Sequence, residues 1–374
     1  MTKVDRVASL NVLIATLRTD LIGGVENVVR DLALGLERRG HAAFAYSNTS
    51  DVVYRAMKEV SVKVIHDLDD LPFYPDVIHG HFSPDTMIAL ARFPDAAAVF
   101  HCHGAGYFGA PPRHPRIYRY LSITPSVALR VMIESGLPES SMEIVPNGVD
   151  LRRFSVVREP PARLAKALFY NNYHAHDSAT LAMIRKAAAE AGLQLDYVGG
   201  RLGQRFHSPH EELHKYDLVF ASGLSAIESL ASGCAVIVLG MTGCGPMVRR
   251  ETFDDLRRGN FSVPVNAPPD SAERILAEIS RYSAEDCRAV TTRLRQEADL
   301  DLVLERTETI YSSALDEHRA TPLDRRAETA AFARYMRKLT PFVDATDKRR
   351  ASAVGDAFSE AALGSIAVQQ LSGF

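Results

Sequence analysis

Ala221-Ser-Gly-Leu-Ser-Ala-Ile-Glu-Ser-Leu-Ala-Ser-Gly-Cys-Ala-Val-Ile-Val-Leu239 reads as a strand end, a glycine turn, a short helix, a glycine stop and a buried strand. The helix begins with free backbone N–H groups behind Gly223, and such a start attracts phosphate because those groups and the helix dipole both point at the anion. Glu228, one turn further in, is placed to hold hydroxyl groups of the same ligand. A structural reading stands beside this one. Ser225-Ala-Ile-Glu228 is also a capping box, which stabilises a helix start without binding anything, and Gly233 serves equally as a helix stop.

Outward from this stretch the chain alternates strands and helices. In the first half, Leu10–Thr16 reads as a buried strand followed by Gly23-Gly24. Val25, Val28, Val29, Leu32 and Leu36 then repeat at helical spacing up to Gly40. Strands are predicted at 42–46, 62–65, 76–79, 97–102, 121–124 and 143–145, with helices at 51–59, 84–93 and 126–136. After Glu159-Pro-Pro161, a linker, the pattern restarts. Strands are predicted at 167–171, 194–198, 218–221 and 235–239, with helices at 177–191, 211–216 and 224–232. Such alternation means βαβ units and parallel sheets covered on both faces. From Ser271 onward the reading is almost wholly helical. The predicted architecture is therefore α/β: two doubly wound, Rossmann-like domains, 1–158 and 162–320, facing a central cleft where ligands bind. A helical extension, 321–374, is expected to pack back on the body.

The chain of 374 residues is too long for one ordinary core, and its 46% hydrophobic and 24% charged content is that of a globular protein. A net charge of -3 gives no basic field to recommend nucleic acid as a partner. No apolar run reaches the ~20 residues of a membrane span, and the N-terminus lacks the apolar segment of a signal peptide. The four cysteines have no metal-ligand spacing and suit a reducing compartment. A cytoplasmic protein is expected, with peripheral contact at the inner face of the membrane left open.

Three segments, in order, resemble family-4 glycosyltransferases of the GT-B fold. Gly23-Gly24-Val-Glu26, with its helix closed by Arg39-Gly-His41, is similar to their first turn. Ser122-Ile-Thr-Pro-Ser126, Gly136-Leu-Pro138 and Ile144-Val-Pro-Asn-Gly-Val-Asp-Leu-Arg-Arg-Phe154 resemble their domain-closing segment, and Ala221–Leu239 their donor loop and helix. Gly243-Cys-Gly-Pro-Met-Val248 is similar to a divergent bacterial group of the family. The resemblance implies transfer of a sugar from a UDP- or GDP-linked donor to a glycan, lipid-linked or other acceptor in surface polysaccharide or glycoconjugate synthesis, with no cofactor beyond that substrate.

The resemblance also assigns residues. Gly23, Gly24, Asn172, Gly199, Gly223, Leu224, Ser225 and Glu228 are the expected donor contacts, the N–H groups of 223–225 holding the diphosphate and Glu228 the ribose. His103, at the end of a strand, is expected to face the transferred sugar as a hydrogen-bond donor. No metal is expected. His101-Cys-His103 and His79-Gly-His81 are each spaced for a shared strand face, and a metal cluster built from both pairs stays open. Asp67-Leu-Asp69 imitates a metal-binding Asp-x-Asp but reads as solvated. The chain departs from the family at Phe220, where a second glutamate is usual. It also departs at Asn171-Asn-Tyr-His-Ala-His176, where an arginine and a lysine usually neutralise the diphosphate; Asn172, His174 or the Arg201 and Arg205 region are the candidate replacements. Two rivals remain: a GT-B nucleotide-sugar epimerase, and a degenerate transferase acting as a binding partner.

Overall fold

The computed structural model describes residues 8–16, 23–48, 61–104, 110–241, 243–263 and 271–340. The first sheet has seven strands: β1 (Asn11–Ala15), β2 (Ala42–Tyr46), β3 (Val64–Ile65), β4 (Val77–Gly80), β5 (Ala97–Cys102), β6 (Ile117–Ser122) and β7 (Met142–Ile144), in the order β3-β2-β1-β4-β5-β6-β7. All its pairings are parallel. The order reverses at β1, so a crevice opens between the carboxyl ends of β1 and β4. Helices α1 (Gly24–Arg38), α2 (Ser83–Arg92) and α3 (Pro125–Ser135) connect these strands. The buried guanidinium of Arg116 donates to the carbonyls of Leu90, Phe93 and Ala96, closing the free end of α2.

The second sheet contains β8 (Lys166–Tyr170), β9 (Gln194–Val198), β10 (Leu218–Ala221), β11 (Ala235–Leu239) and β12 (Cys244–Met247), in the order β12-β11-β10-β8-β9. It is parallel except for β12, an antiparallel edge strand absent from the sequence reading. Pro246 within it lacks an N–H to donate, which an edge tolerates. Helices α4 (Ala179–Glu190), α5 (Pro209–Glu212), α6 (Gly223–Ala231), α7 (Phe253–Arg258), α8 (Ala272–Ile279) and α9 (Ala284–Glu297) follow the same alternation. Separate apolar clusters cover the two faces of this sheet.

The chain crosses between the sheets twice, and the crossings touch. On the way out, Val149 N–H donates to the Ala298 carbonyl at 2.8 Å; on the way back, Leu300 N–H donates to the Val149 carbonyl at 3.0 Å. The returning chain becomes α10 (Leu300–Ala320). The sequence reading puts 300–320 in the second domain, yet the helix packs on the first sheet. Leu300, Leu304, Ile310, Tyr311 and Ala314 join β1, β2, β5 and α1 in one core. Amphipathic spacing shows that a helix has a buried face but not which sheet will cover it. Arg39 and His41 clamp α10 through Glu308 at 2.6 and 2.9 Å.

Smaller differences have local causes. Strand 121–124 is replaced by β6, because Thr124 accepts from Val127 N–H and caps α3 ahead of Pro125. Segment 211–216 splits into α5 and a 3-10 turn. The helix predicted at 51–59 and the extension beyond 340 lie outside the described residues. The described residues from Leu323 onward belong to a separate unit and are helical over 325–340. All four cysteines are buried and free.

Gly148 has no room for a side chain: a Cβ there would sit 2.8 Å from Val303 Cγ2 and 3.2 Å from the Ala298 carbonyl. Gly148→Ala should therefore destabilise the chain by about 1–3 kcal/mol, the usual scale of overpacking. Chemical denaturation checks this, and an unchanged midpoint would mean that the crossing yields easily.

Candidate active site

The donor candidates gather at the carboxyl edge of the second sheet. Ser222 is the N-cap of α6, in extended conformation and with no side-chain capping bond; Gly223 follows at φ +57°. Only glycine adopts that left-handed conformation freely. Ser225 therefore lies inside the first turn, and the capping box at 225–228 does not form. The Gly223 N–H points at the Phe261 carbonyl, 3.4 Å away, rather than outward. The N–H groups of Leu224 and Ser225 have no partner among the described residues. Two non-glycine residues in the left-handed region, Asn260 and Phe261, shape the loop beside this helix start. Backbone strain of this kind persists only where its surroundings enforce it.

Glu228 is buried, and its carboxylate makes no hydrogen bond or ion pair among the described residues. It lies in the field of Arg30, Asp31 and Arg153. Arg30 and Asp31 come from α1 of the first domain. Asp31 accepts from Arg30 at 2.8 Å and from Arg153 at 3.2 Å, so one carboxylate ties the domains together beside another that stays unpaired. Burial pushes the Glu228 carboxyl up to about 7, against the opposing pull of Arg30. Asn147 Nδ2 donates to Asn260 Oδ1 at 3.3 Å, joining the crossing segment to the strained loop. Sequence reasoning missed Arg30, Asp31 and Asn260, and quoted Arg153 without giving it a role. Their signal, a charged pair on an amphipathic helix and an asparagine after Gly259, is too common to single out.

The other donor candidates end the neighbouring strands. Asn172 Oδ1 accepts from Gly200 N–H at 2.9 Å, and His174 Nε2 lies 2.8 Å from the Gly240 carbonyl. Both side chains thus hold loops in place. Arg201 and Arg205 stay exposed at the end of β9. At Gly199 a Cβ would collide with the Asn171 carbonyl at 1.7 Å, so the ends of β8 and β9 press together here. Phe220 is sealed in the core within β10, so its position faces apolar neighbours rather than the crevice.

On the first-domain side, Gly23 and Gly24 need no positive φ. Gly23 is extended and donates to Glu26 Oε2 at 2.8 Å, and a Cβ on Gly24 would meet open space. His79, His81, His101 and His103 form one stacked array on β4 and β5 and just beyond their ends, with neighbouring ring centroids 4.3 to 4.9 Å apart. His101 is buried and His103 partly exposed, as the strand position predicts. Burial lowers the basicity of all four, His103 to about 4, so the rings are neutral near pH 7. A cavity of about 30 Å³, room for one water, is lined by His79, His101, Asn147 and Thr307. Asp67 caps a 3-10 turn through Asp69 N–H, and Asp69 pairs with Arg92, so that motif is spent on local structure.

Two doubly wound domains joined by a double crossing are the GT-B fold. Residues 22–153 match the model of Glycosyltransferase Family 4. Among solved structures, a glycosyltransferase from Rickettsia africae ESF-5 is 14% identical and superposes with a TM-score of 0.58, covering 83% of this chain and 99% of that one. Anabaena Alr3699/HepE in complex with UDP-glucose is 12% identical at a TM-score of 0.57, covering 81% and 100%. A putative UDP-N-acetylglucosamine 2-epimerase from Listeria monocytogenes is 12% identical at 0.50, covering 85% and 98%. No curated protein matches the chain. The family match supports a glycosyl-transfer role, and the solved structures share the fold. No described helix is long and apolar enough to cross a membrane.

The raised Glu228 pKa has a stability consequence. The folded chain holds this proton more tightly than the unfolded chain, so stability is greatest in acid and is lost as pH rises from the ordinary carboxyl range through about 7. Glu228→Gln cannot ionise and should escape that loss, gaining about 1–3 kcal/mol over wild type near pH 8 and little near pH 5. Denaturation at both pH values tests this; parallel curves would mean that Glu228 ionises normally.

Proposed function

We propose that the chain transfers a sugar from a nucleotide-diphosphate donor, UDP- or GDP-linked, to a glycan or lipid-linked acceptor in surface polysaccharide or glycoconjugate synthesis. The reaction would take place in the cytoplasm. The observation that carries this reading is Glu228, a buried acid with no capping duty, one turn behind the unpartnered N–H groups of Leu224 and Ser225. Those two groups and the helix dipole receive the diphosphate, and the Glu228 carboxylate receives the ribose hydroxyls. Arg201 and Arg205 supply the positive charge that Asn172 and His174, engaged with loop backbone, do not. Gly23 and Gly24 stay with the donor, and at Gly24 a side chain would meet only open space among the described residues, which leaves room for a phosphate to approach the backbone. The complex of Anabaena HepE with UDP-glucose shows that this fold accommodates such a donor.

Glu228→Gln should weaken binding of the nucleoside diphosphate by about 1–3 kcal/mol, the scale of a lost charge-assisted hydrogen bond. Calorimetry with UDP and GDP reads this directly, and undiminished affinity in the folded variant would overturn the assignment.

His103 stands at the rim of the first sheet and donates to the transferred sugar or the departing phosphate. His103→Ala should lower single-turnover transfer by about 10²-fold, the scale of one lost transition-state donor, with donor affinity retained. No divalent ion is assigned to the diphosphate, because the Asp67 and Asp69 carboxylates are committed elsewhere, and transfer should survive exhaustive chelation. Donor turned over with altered configuration and without any acceptor would favour the epimerase reading instead.

A further inference from the structure

The histidine array does more than the transfer reading uses. In the parallel register His79 lies opposite Val99 and Gly80 opposite Phe100, so by continuation His81 lies opposite His101. Side-chain alternation then directs residues 79, 81, 101 and 103 to one face. One ring nitrogen from each of His81, His101 and His103 lies within 4.8 Å of the others. His81 Nδ1 and His103 Nε2 approach to 2.6 Å, a distance at which two neutral rings share a single proton. The Nε2 atoms of His81 and His101 are buried without any hydrogen-bond partner among the described residues, and the two residues are only 1% and 5% exposed. An unsatisfied buried ring nitrogen is costly, and the array holds three, His79 Nε2 being the third.

We propose that His81, His101 and His103 form a binding site for a divalent d-block cation of the zinc class. Three neutral imidazoles, with no carboxylate joining them among the described residues, suit zinc or cobalt(II) rather than magnesium or calcium. With Zn–N bonds of about 2.0–2.1 Å, a tetrahedral ion needs its nitrogens roughly 3.3 Å apart, so ring rotations of modest size close the set. The ion takes the place of the proton now shared between His81 and His103, and that proton moves to the other nitrogen of the ring that carried it, so both rings stay neutral ligands. The fourth position falls on the side of His103, which is the least buried of the three. His79 is outside the set: only His81, His101 and His103 bring a ring nitrogen within 4.8 Å of one another, and the His79 Nδ1 is held by the Tyr311 hydroxyl at 2.6 Å. Because the ion occupies the His103 ring, it suppresses the transfer role assigned to that residue, and chelation leaves transfer intact.

The site is tested without any sugar substrate, so its failure and that of the transfer reading are told apart. Full-length protein freed of metal with a chelator is titrated with cobalt(II) and then zinc. One cobalt per chain with the visible absorption of tetrahedral coordination, displaced by zinc, is the expected result, together with a zinc-dependent rise in melting temperature. His101→Asn and His103→Ala should abolish both signals, and His207→Ala, at an exposed position, should keep them. Should His101→Asn fail to fold, His103→Ala at the rim decides the matter. Absence of the cobalt spectrum and the melting shift in the wild type, or their survival in His103→Ala, overturns the site.

Discussion

The pair of hydrogen bonds at Val149, one to Ala298 and one from Leu300, is the constraint from which the rest of the architecture follows. It brings the outgoing and returning chains side by side, so the two sheets are joined at one narrow place. Gly148 follows from that proximity, since Val303 and the Ala298 carbonyl occupy the space a side chain would need. The docking of α10 follows too: a helix leaving this point is already aimed at the first sheet, where Leu304 and Tyr311 complete the core. Asn147, Asp150 and Arg153 then extend from the same segment to Asn260, Arg38 and Asp31. The run Val145–Asp150 therefore has a structural role at every polar position as well as a family resemblance.

The electrostatics of the crevice are built on imbalance. Asp31 satisfies Arg30 and Arg153, while Glu228 has no counter-ion of its own and is burdened by burial. An acid so placed is a poor contributor to stability, and replacing it would relieve the fold. Perturbed groups of this kind cluster at sites of chemistry. The left-handed Asn260 and Phe261 beside the start of α6 are a second local cost at the same place.

Much of this was legible in the sequence. Hydrophobic alternation located most of both sheets, because strands buried on two faces are apolar throughout and helices between them are periodic. Glu228 was placed one turn inside the helix after β10 and His103 just past the end of β5, and those are their positions in the fold. The capping-box alternative falls because Ser-x-x-Glu is a pattern of letters, whereas the helix start is decided by the conformation of Gly223, with Ser222 as the N-cap. The side on which α10 docks, the antiparallel β12 and the alignment of two His-x-His pairs all depend on which strands become neighbours. That information lies in topology and not in any local spacing. The Arg30–Asp31–Arg153 network was missed for the same reason, since its members are far apart in the chain.

The docking of α10 also sets the order in which the protein can be made. A ribosome releases the strands of the first sheet early, but the residues that close their core, Leu304 to Ala314, emerge only after the whole second sheet. The usual rule that N-terminal domains finish folding first during synthesis is therefore reversed. The second domain emerges with its own apolar clusters, while the first waits with an open face beside α1 and β5. Nascent chains paused before Leu300 should expose that face to chaperones, and messages truncated there would yield a first domain with an unfilled core.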